Sequence, residues 1–143
     1  MAVTKATIRT SAWDTVYTYL QTTNAITTNN IFSAMNSTLI TSKGYPIVII
    51  GVPNISFMKL TANGTMTESE VSMLIEVYDD NAQDVKSLVD NVTDKLIAGR
   101  STFAGATNRL MRMQIDSGDY DTWEDGKKKI HRIGFNVIFR YIK

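Results

Sequence analysis

The sequence predicts an α+β fold: a mixed or antiparallel sheet of two hairpins, four-stranded or slightly larger, with two helices packed on one face, in the order α-β-β-α-β-β. Three stretches carry that prediction. In "ESEVSMLIEVYDD", Val71, Met73, Ile75 and Val77 alternate with Glu70, Ser72, Glu76 and Tyr78, the period of a half-buried strand. From Ala82 to Ala98 the spacing turns helical: Val85, Leu88, Val89, Val92 and Leu96 form one stripe, while Asp84, Lys86, Asp90, Asp94 and Lys95 populate the other side. From His131 the alternation returns, with Ile133, Phe135, Val137, Phe139 and Tyr141 on one face. Hairpins with helices segregated to one side make a two-layer sandwich. A chain of 143 residues fits one domain, 1–143, and can bury roughly two-thirds of its unfolded surface.

Taken in order, Ser11-Ala-Trp-Asp14 reads as a helix start, with Ser11 as cap and the Asp14 charge near the positive helix end. Trp13, Val16, Tyr17 and Leu20 follow at helical spacing to about Thr22. Residues 23–44 scatter their apolar side chains and read as a packed connection with a short helix near 31–36. Ile47–Ile50 is apolar on both faces and reads as a central, doubly covered strand. Gly51 and Pro53 bend it, and it resumes through Ile55 and Phe57. Asn63-Gly64 marks a tight hairpin turn, because both turn positions need positive φ. After the alternating strand, Asp79-Asp80-Asn81 supplies an N-cap for the second helix, and Gly99 ends it as a C′ residue. A Gly/Ala/Thr loop over 101–108 leads to a strand with Met111, Met113 and Ile115 on one face. "SGDYDTWEDGKKK" reads as a polar loop or a long hairpin arm turning at Asp125-Gly126.

Charge is unevenly spread. Residues 127–143 hold six Lys/Arg and no acid, whereas the other 126 residues hold nine bases and fourteen acids. Five aligned apolar residues make the last segment a core strand instead of a disordered nucleic-acid arm, so Lys127, Lys128 and Lys129 are turn residues leading into it. Its aromatics and its arginines fall on opposite faces, which does not make a base-stacking platform. With no cysteine there is no disulfide frame and no thiolate chemistry. The longest apolar run, Ile47–Val52, is too short to span a bilayer. The N-terminus lacks a secretion signal's apolar core, so a cytosolic setting is expected and the four Asn-x-Ser/Thr triplets are products of composition.

A catalytic reading needs a nucleophile, a base or a metal in a convergent arrangement. His131 is the only histidine and sits at the foot of a strand. Serine elbows, phosphate-binding glycine loops and metalloprotease helices do not occur. Asp116, Asp119, Asp121, Glu124 and Asp125 cluster without the spacing of a calcium loop, so a solvated loop is expected. No catalytic, metal or cofactor site is expected, and no enzyme activity.

The order of these pieces resembles a known group. A short N-terminal helix, "YPIVIIG", the strand-helix unit "EVSMLIEVYDDNAQDVKSLVDNVTDKL" and the closing "DGKKKIHRIGFNVIFRYI" are similar to the tail-terminator and tail-completion proteins of long-tailed phages and related viruses. The resemblance covers residues 9–142 and rests on order, not on a strict motif. It implies a structural virion protein, assembled in the host cytoplasm, that forms a ring, commonly a hexamer, at the head-tail junction. Such a ring caps the tail tube, ends its growth and offers the head-joining surface. Its partners would be copies of itself, the tail-tube protein and a head-completion or connector protein, with DNA at most passing through the lumen and no membrane. A neighbouring connector ring, the tube subunit, or a small cellular ligand-binding domain with a pocket between Tyr45, Tyr78 and the helices are the alternatives. A ring needs two different complementary patches per subunit. The expected interface residues are Asp84, Asp90 and Asp94 on the second helix, Lys127, Lys128 and Lys129 at the basic turn, and Asn63 and Gly64 at the hairpin tip.

Overall fold

The computed structural model describes residues 5–22, 31–32, 45–60, 67–105, 107–116, 118–125 and 128–142. Its elements are α1 (Lys5–Thr22), β1 (Ile31–Phe32), β2 (Ile47–Ile50), β3 (Asn54–Leu60), β4 (Thr67–Asp79), α2 (Ala82–Ala98), α3 (Arg100–Phe103), β5 (Leu110–Ile115), β6 (Asp119–Asp125) and β7 (Lys128–Ile142). The α+β class holds, but the sheet has seven strands, in the order β1-β2-β4-β7-β5, with β3 beside β4 and β6 beside β7.

The difference from four strands has a simple origin. The long antiparallel pair β4–β7 runs in unbroken register from Glu68↔Ile142 to Asp79↔His131. On each outer side lies a strand rank broken in two: β2 and β3 along β4, β5 and β6 along β7. Gly51 N donates to Leu74 O at 2.8 Å in one break, and Asp116 N donates to Asn136 O at 2.9 Å in the other. Leu74 and Asn136 are direct partners, so both breaks lie at one level across the sheet. β1 pairs parallel with β2 at the outer edge, which places a strand at Ile31–Phe32 where a helix was expected; the rest of that expected helix lies outside the described residues.

Both long helices contribute to one core. Ile8, Ala12, Val16 and Leu20 of α1, Val85, Val92 and Leu96 of α2, and Val71, Met73, Ile75, Val77, Phe135, Val137 and Phe139 of the central strands are buried together. The i, i+4 stripe of α1 therefore begins at Ile8, and the helix starts at Lys5, two turns ahead of the expected cap. Ser11 is interior, and its carbonyl accepts from Thr15 Oγ1. Trp13 and Tyr17 stack at 4.7 Å on the flank, and Trp13 Nε1 donates to Ile50 O at 2.8 Å, tying α1 to the end of β2.

Asn81 caps α2 as expected, its side chain accepting from the Gln83 and Asp84 amides. Gly99 plays a different role from a left-handed stop. Its φ of −84° is open to any residue, and the chain passes straight into α3. What requires glycine is the Tyr19 ring, which occupies the space a Cβ would fill. Tyr19 OH donates to Lys95 O at 2.7 Å, and its ring meets Phe103 edge-on at 4.9 Å. A smaller cluster of Ile47, Ile49, Tyr78 and Ile130 is buried on the opposite face, with Phe32 and Tyr45 against it. Among the described residues no helix is long and apolar enough to cross a membrane.

Candidate interaction surfaces

The two hairpin turns leave the sheet at opposite ends. Leu60 pairs with Thr67 at one end of β4, and Asp125 pairs with Lys128 at the far end of β7. With 13 residues in β4, the central pair separates those ends by about 40 Å, at roughly 3.3 Å per residue. Asn63, Gly64 and Lys127 themselves lie outside the described residues.

The expected acidic helix face is divided. Asp84, Asp90 and Asp94 are all exposed, but Asp84 borders a shallow groove with Pro46, Asp79 and Leu88, while Asp90 borders another, on the far flank of α2. Lys128 and Lys129 are exposed, and Lys128 Nζ lies 3.7 Å from Asp80 Oδ2 of the same chain. The basic turn and the start of α2 are thus brought together within one copy. That pair is solvent-exposed on the lysine side and contributes little to stability.

Beneath them three titratable side chains lie near the end of β4, on β4, β6 and β7. Asp79 and His131 are buried cross-strand partners. Tyr120 OH and His131 Nδ1 share a hydrogen bond at 2.5 Å, with the rings stacked. Burial, reinforced by the side chain of Asp80, pushes the Asp79 carboxyl up to about 6. Asp79 Oδ1 accepts from the Asp80 amide at 2.7 Å, so the carboxyl closes the strand-to-helix turn. The role this geometry supports is structural: His131 and Tyr120 join β6 to β7.

On the face away from the helices the sheet carries an ion-pair ladder that single-strand reading missed. Arg132 Nε donates to Glu76 Oε2 at 2.5 Å and Nη1 to Asp121 Oδ2 at 3.1 Å. Tyr78 OH donates to the same Glu76 oxygen at 2.8 Å. Burial first, then the Glu76 carboxylate, pushes the Tyr78 hydroxyl up to about 12, with Arg132 pulling the other way. Burial also works against the Arg132 charge, but its bond to Glu76 prevails and holds the guanidinium above its ordinary value. Arg140 approaches Glu68 at 3.8 Å and Glu70 at 3.5 Å. The signal was available only once β4 and β7 were set in register, because the β4 acids lie 56 to 72 positions from their arginines in sequence. Tyr78 and Tyr45 face this side, so they do not form the pocket with the helices that a ligand-binding reading requires.

Two apolar features stand out at the rank breaks. Val52, 68% exposed, projects between β2 and β3, beside a recess lined by Arg9, Thr10, Trp13 and Asp14 of α1. Arg9 is held there by its Nε bond to Pro53 O at 2.9 Å. At the other break a groove of about 340 Å³ opens between α2 and the sheet, lined by Val89, Thr93, Ile97, Ile115, Ile133 and Phe135, with Asp90 and Asp116 on its rim. Gly118 allows the close approach that shapes this groove, since a Cβ there would come within 2.5 Å of Gly134 O. Asp119, Asp121 and Glu124, expected in a solvated loop, are instead exposed residues of β6. Among the described residues no group of three or more acids or histidines is arranged to hold a metal ion.

No family model matches the sequence, and no curated protein does. The fold is nevertheless similar to that of a solved structure. A chain in the structure described as "Virion of native gene transfer agent (GTA) particle" superposes with a TM-score of 0.57 at 17% identity, over 90% of this chain and 92% of that one. The fold of this chain is therefore similar to that of a chain in a gene transfer agent virion.

Proposed function

We propose that this chain is a structural virion protein of a phage-like particle. In our reading it acts as a tail terminator: a homo-oligomeric ring, of hexameric type, that caps the tail tube, ends its growth and presents the surface on which the head is joined. The observation that carries the reading is the shared fold, over nine-tenths of both chains, with a protein of a gene transfer agent virion. The geometry supports a role in assembly. Two hairpin turns at opposite ends of the central strand pair suit a subunit that meets one partner on the tube side and another on the head side. We assign the turn at Asn63-Gly64 to one of those contacts. The acids Asp84, Asp90 and Asp94 and the lysines Lys127, Lys128 and Lys129 are assigned as complementary patches between copies in the ring, where opposite charge steers docking. The work is geometric, with no reaction and no cofactor. A length of 143 residues with two long helices suits a terminator better than a tube subunit.

The test is absolute mass in solution by light scattering behind a sizing column, across protein concentration and at two salt levels, followed by addition of purified tail tubes. A discrete ring-sized species, or capture at the tube tip with arrest of elongation, is the expected result. A strict monomer that neither binds tubes nor stops their growth overturns the reading. Reversal of the three lysines that leaves ring formation intact removes the charge assignment alone.

A further inference from the structure

Resting on the ring reading, we propose that neighbouring copies join head to tail by seating Val52 of one copy in the groove beside α2 of the next. Position is the first argument. The two rank breaks lie on opposite edges of the sheet and at one level, through Gly51, Leu74, Asn136 and Asp116. Both features are also on the helix-bearing face, since α1 walls the recess beside Val52 and α2 walls the groove. A copy displaced sideways across the sheet, with the rotation that closes a ring, brings knob to groove without a change of height. A different protein has no reason to satisfy that alignment, whereas a second copy satisfies it automatically.

Chemistry is the second argument. Val52 at 68% and Ile97 at 51% are the most exposed of the large apolar side chains among the described residues; Val52 sits at one rank break, and Ile97, on α2, lines the groove at the other. The groove floor of Ile115, Ile133 and Phe135 is apolar and has room for a branched aliphatic side chain. Charge also matches. Arg9 lines the recess beside Val52, with Asp14 next to it, while the groove rim brings the acids Asp90 and Asp116. A heterologous contact of this kind, two different patches on each copy, is what a closed ring requires.

The chain has no cysteine, which makes the contact directly readable. Within one copy the two edges are separated by three strand spacings, about 14 Å, whereas a disulfide needs Cβ atoms about 3.8 Å apart. Any bond between positions 52 and 97 is therefore intermolecular. The variant Val52→Cys/Ile97→Cys, oxidised by air with copper–phenanthroline at high protein concentration, is expected to give a reducible ladder of covalent multimers. Neither single-cysteine variant should do so. In a second arm, Val52→Asp and Ile97→Asp should each lose every species above the monomer in light scattering, while keeping the wild-type circular dichroism spectrum. Mixed one to one, they retain a single intact knob-and-groove contact and should form a dimer and nothing larger.

Absence of the ladder overturns the proposal, as does a covalent dimer from Val52→Cys alone, which would mean a symmetric contact. Assembly of the aspartate variants into wild-type rings overturns it while leaving the ring reading intact. Wild type that never assembles and never caps tubes overturns the ring reading, and the oxidation arm still decides whether this contact forms.

Discussion

Replacing Asp79 by Asn should stabilise the monomer at pH 8 and have no effect at pH 3.5. Asp79 is 6% exposed, and its carboxyl is pushed up to about 6 in the folded chain from an ordinary 3.8. Burial is the main cause, and the side chain of Asp80 adds to it. The folded chain thus binds this proton more tightly than the unfolded chain does. Above pH 6 the fold carries a buried charge and is penalised. As pH falls through 6 the penalty fades, and below 3.8 it is gone because both states are protonated. A gap of about 2 pH units at roughly 1.4 kcal/mol each puts the ceiling near 3 kcal/mol. Local relaxation at a sheet end reduces that to about 2 kcal/mol, which corresponds to roughly 6–10 °C in melting temperature for a chain of this size. Asn retains an oxygen to accept the Asp80 amide, so the turn is preserved while the titration is removed. The assay is thermal unfolding by circular dichroism from pH 3.5 to pH 8, at concentrations below assembly. A constant offset between the two proteins across that range, or wild type at least as stable at pH 8, would refute the reasoning.

Three further outcomes follow from the packing. Gly99→Ala should destabilise by about 1–3 kcal/mol in urea unfolding, because the new Cβ meets the Tyr19 ring, although Ala at a compatible φ ordinarily stabilises. Phe103→Ala should cost about 3–5 kcal/mol, since the fully buried ring meets both Tyr19 and Phe139 edge-on. Arg132→Gln should cost about 1–2 kcal/mol at pH 7, because it leaves the half-buried Glu76 without its cation; a double-mutant cycle with Glu76→Gln should recover most of that loss as coupling.

Elements whose residues agree at every level were legible in the sequence. β4 shows its period, α2 runs from Asn81 to Gly99 with cap and stripe in place, and β7 alternates along its core stretch. β6 was harder to read because Asp and Glu are depleted in strands; what makes it a strand is the register offered by β7, not its own residues. The run Met111, Met113, Ile115 was legible as a strand, but its irregularity was not. It alternates cleanly, yet Arg112 sits at φ 53° and the pairing with β7 shifts between Met111 and Gln114. The irregularity adds Leu110 to the core beside Met113 and Ile115, while Arg112 and Gln114 stay exposed as the alternation predicts. The apolar features at the rank breaks could not be found in advance either, since Val52 and the groove that Ile97 lines become a pair only when the sheet sets the two breaks at one level. Of the residues first assigned to the interface, Asp90 alone borders that groove.

The unbroken β4–β7 register also has a mechanical meaning. One hairpin turn leads into the start of β4 and the other into the start of β7, at opposite ends of antiparallel neighbours. A pull between those turns therefore loads the hydrogen bonds from Glu68↔Ile142 to Asp79↔His131 side by side, in shear, so that none opens ahead of the rest. A subunit gripped at these two points would behave as a stiff strut that yields all at once, and would hold a fixed spacing between whatever it joins.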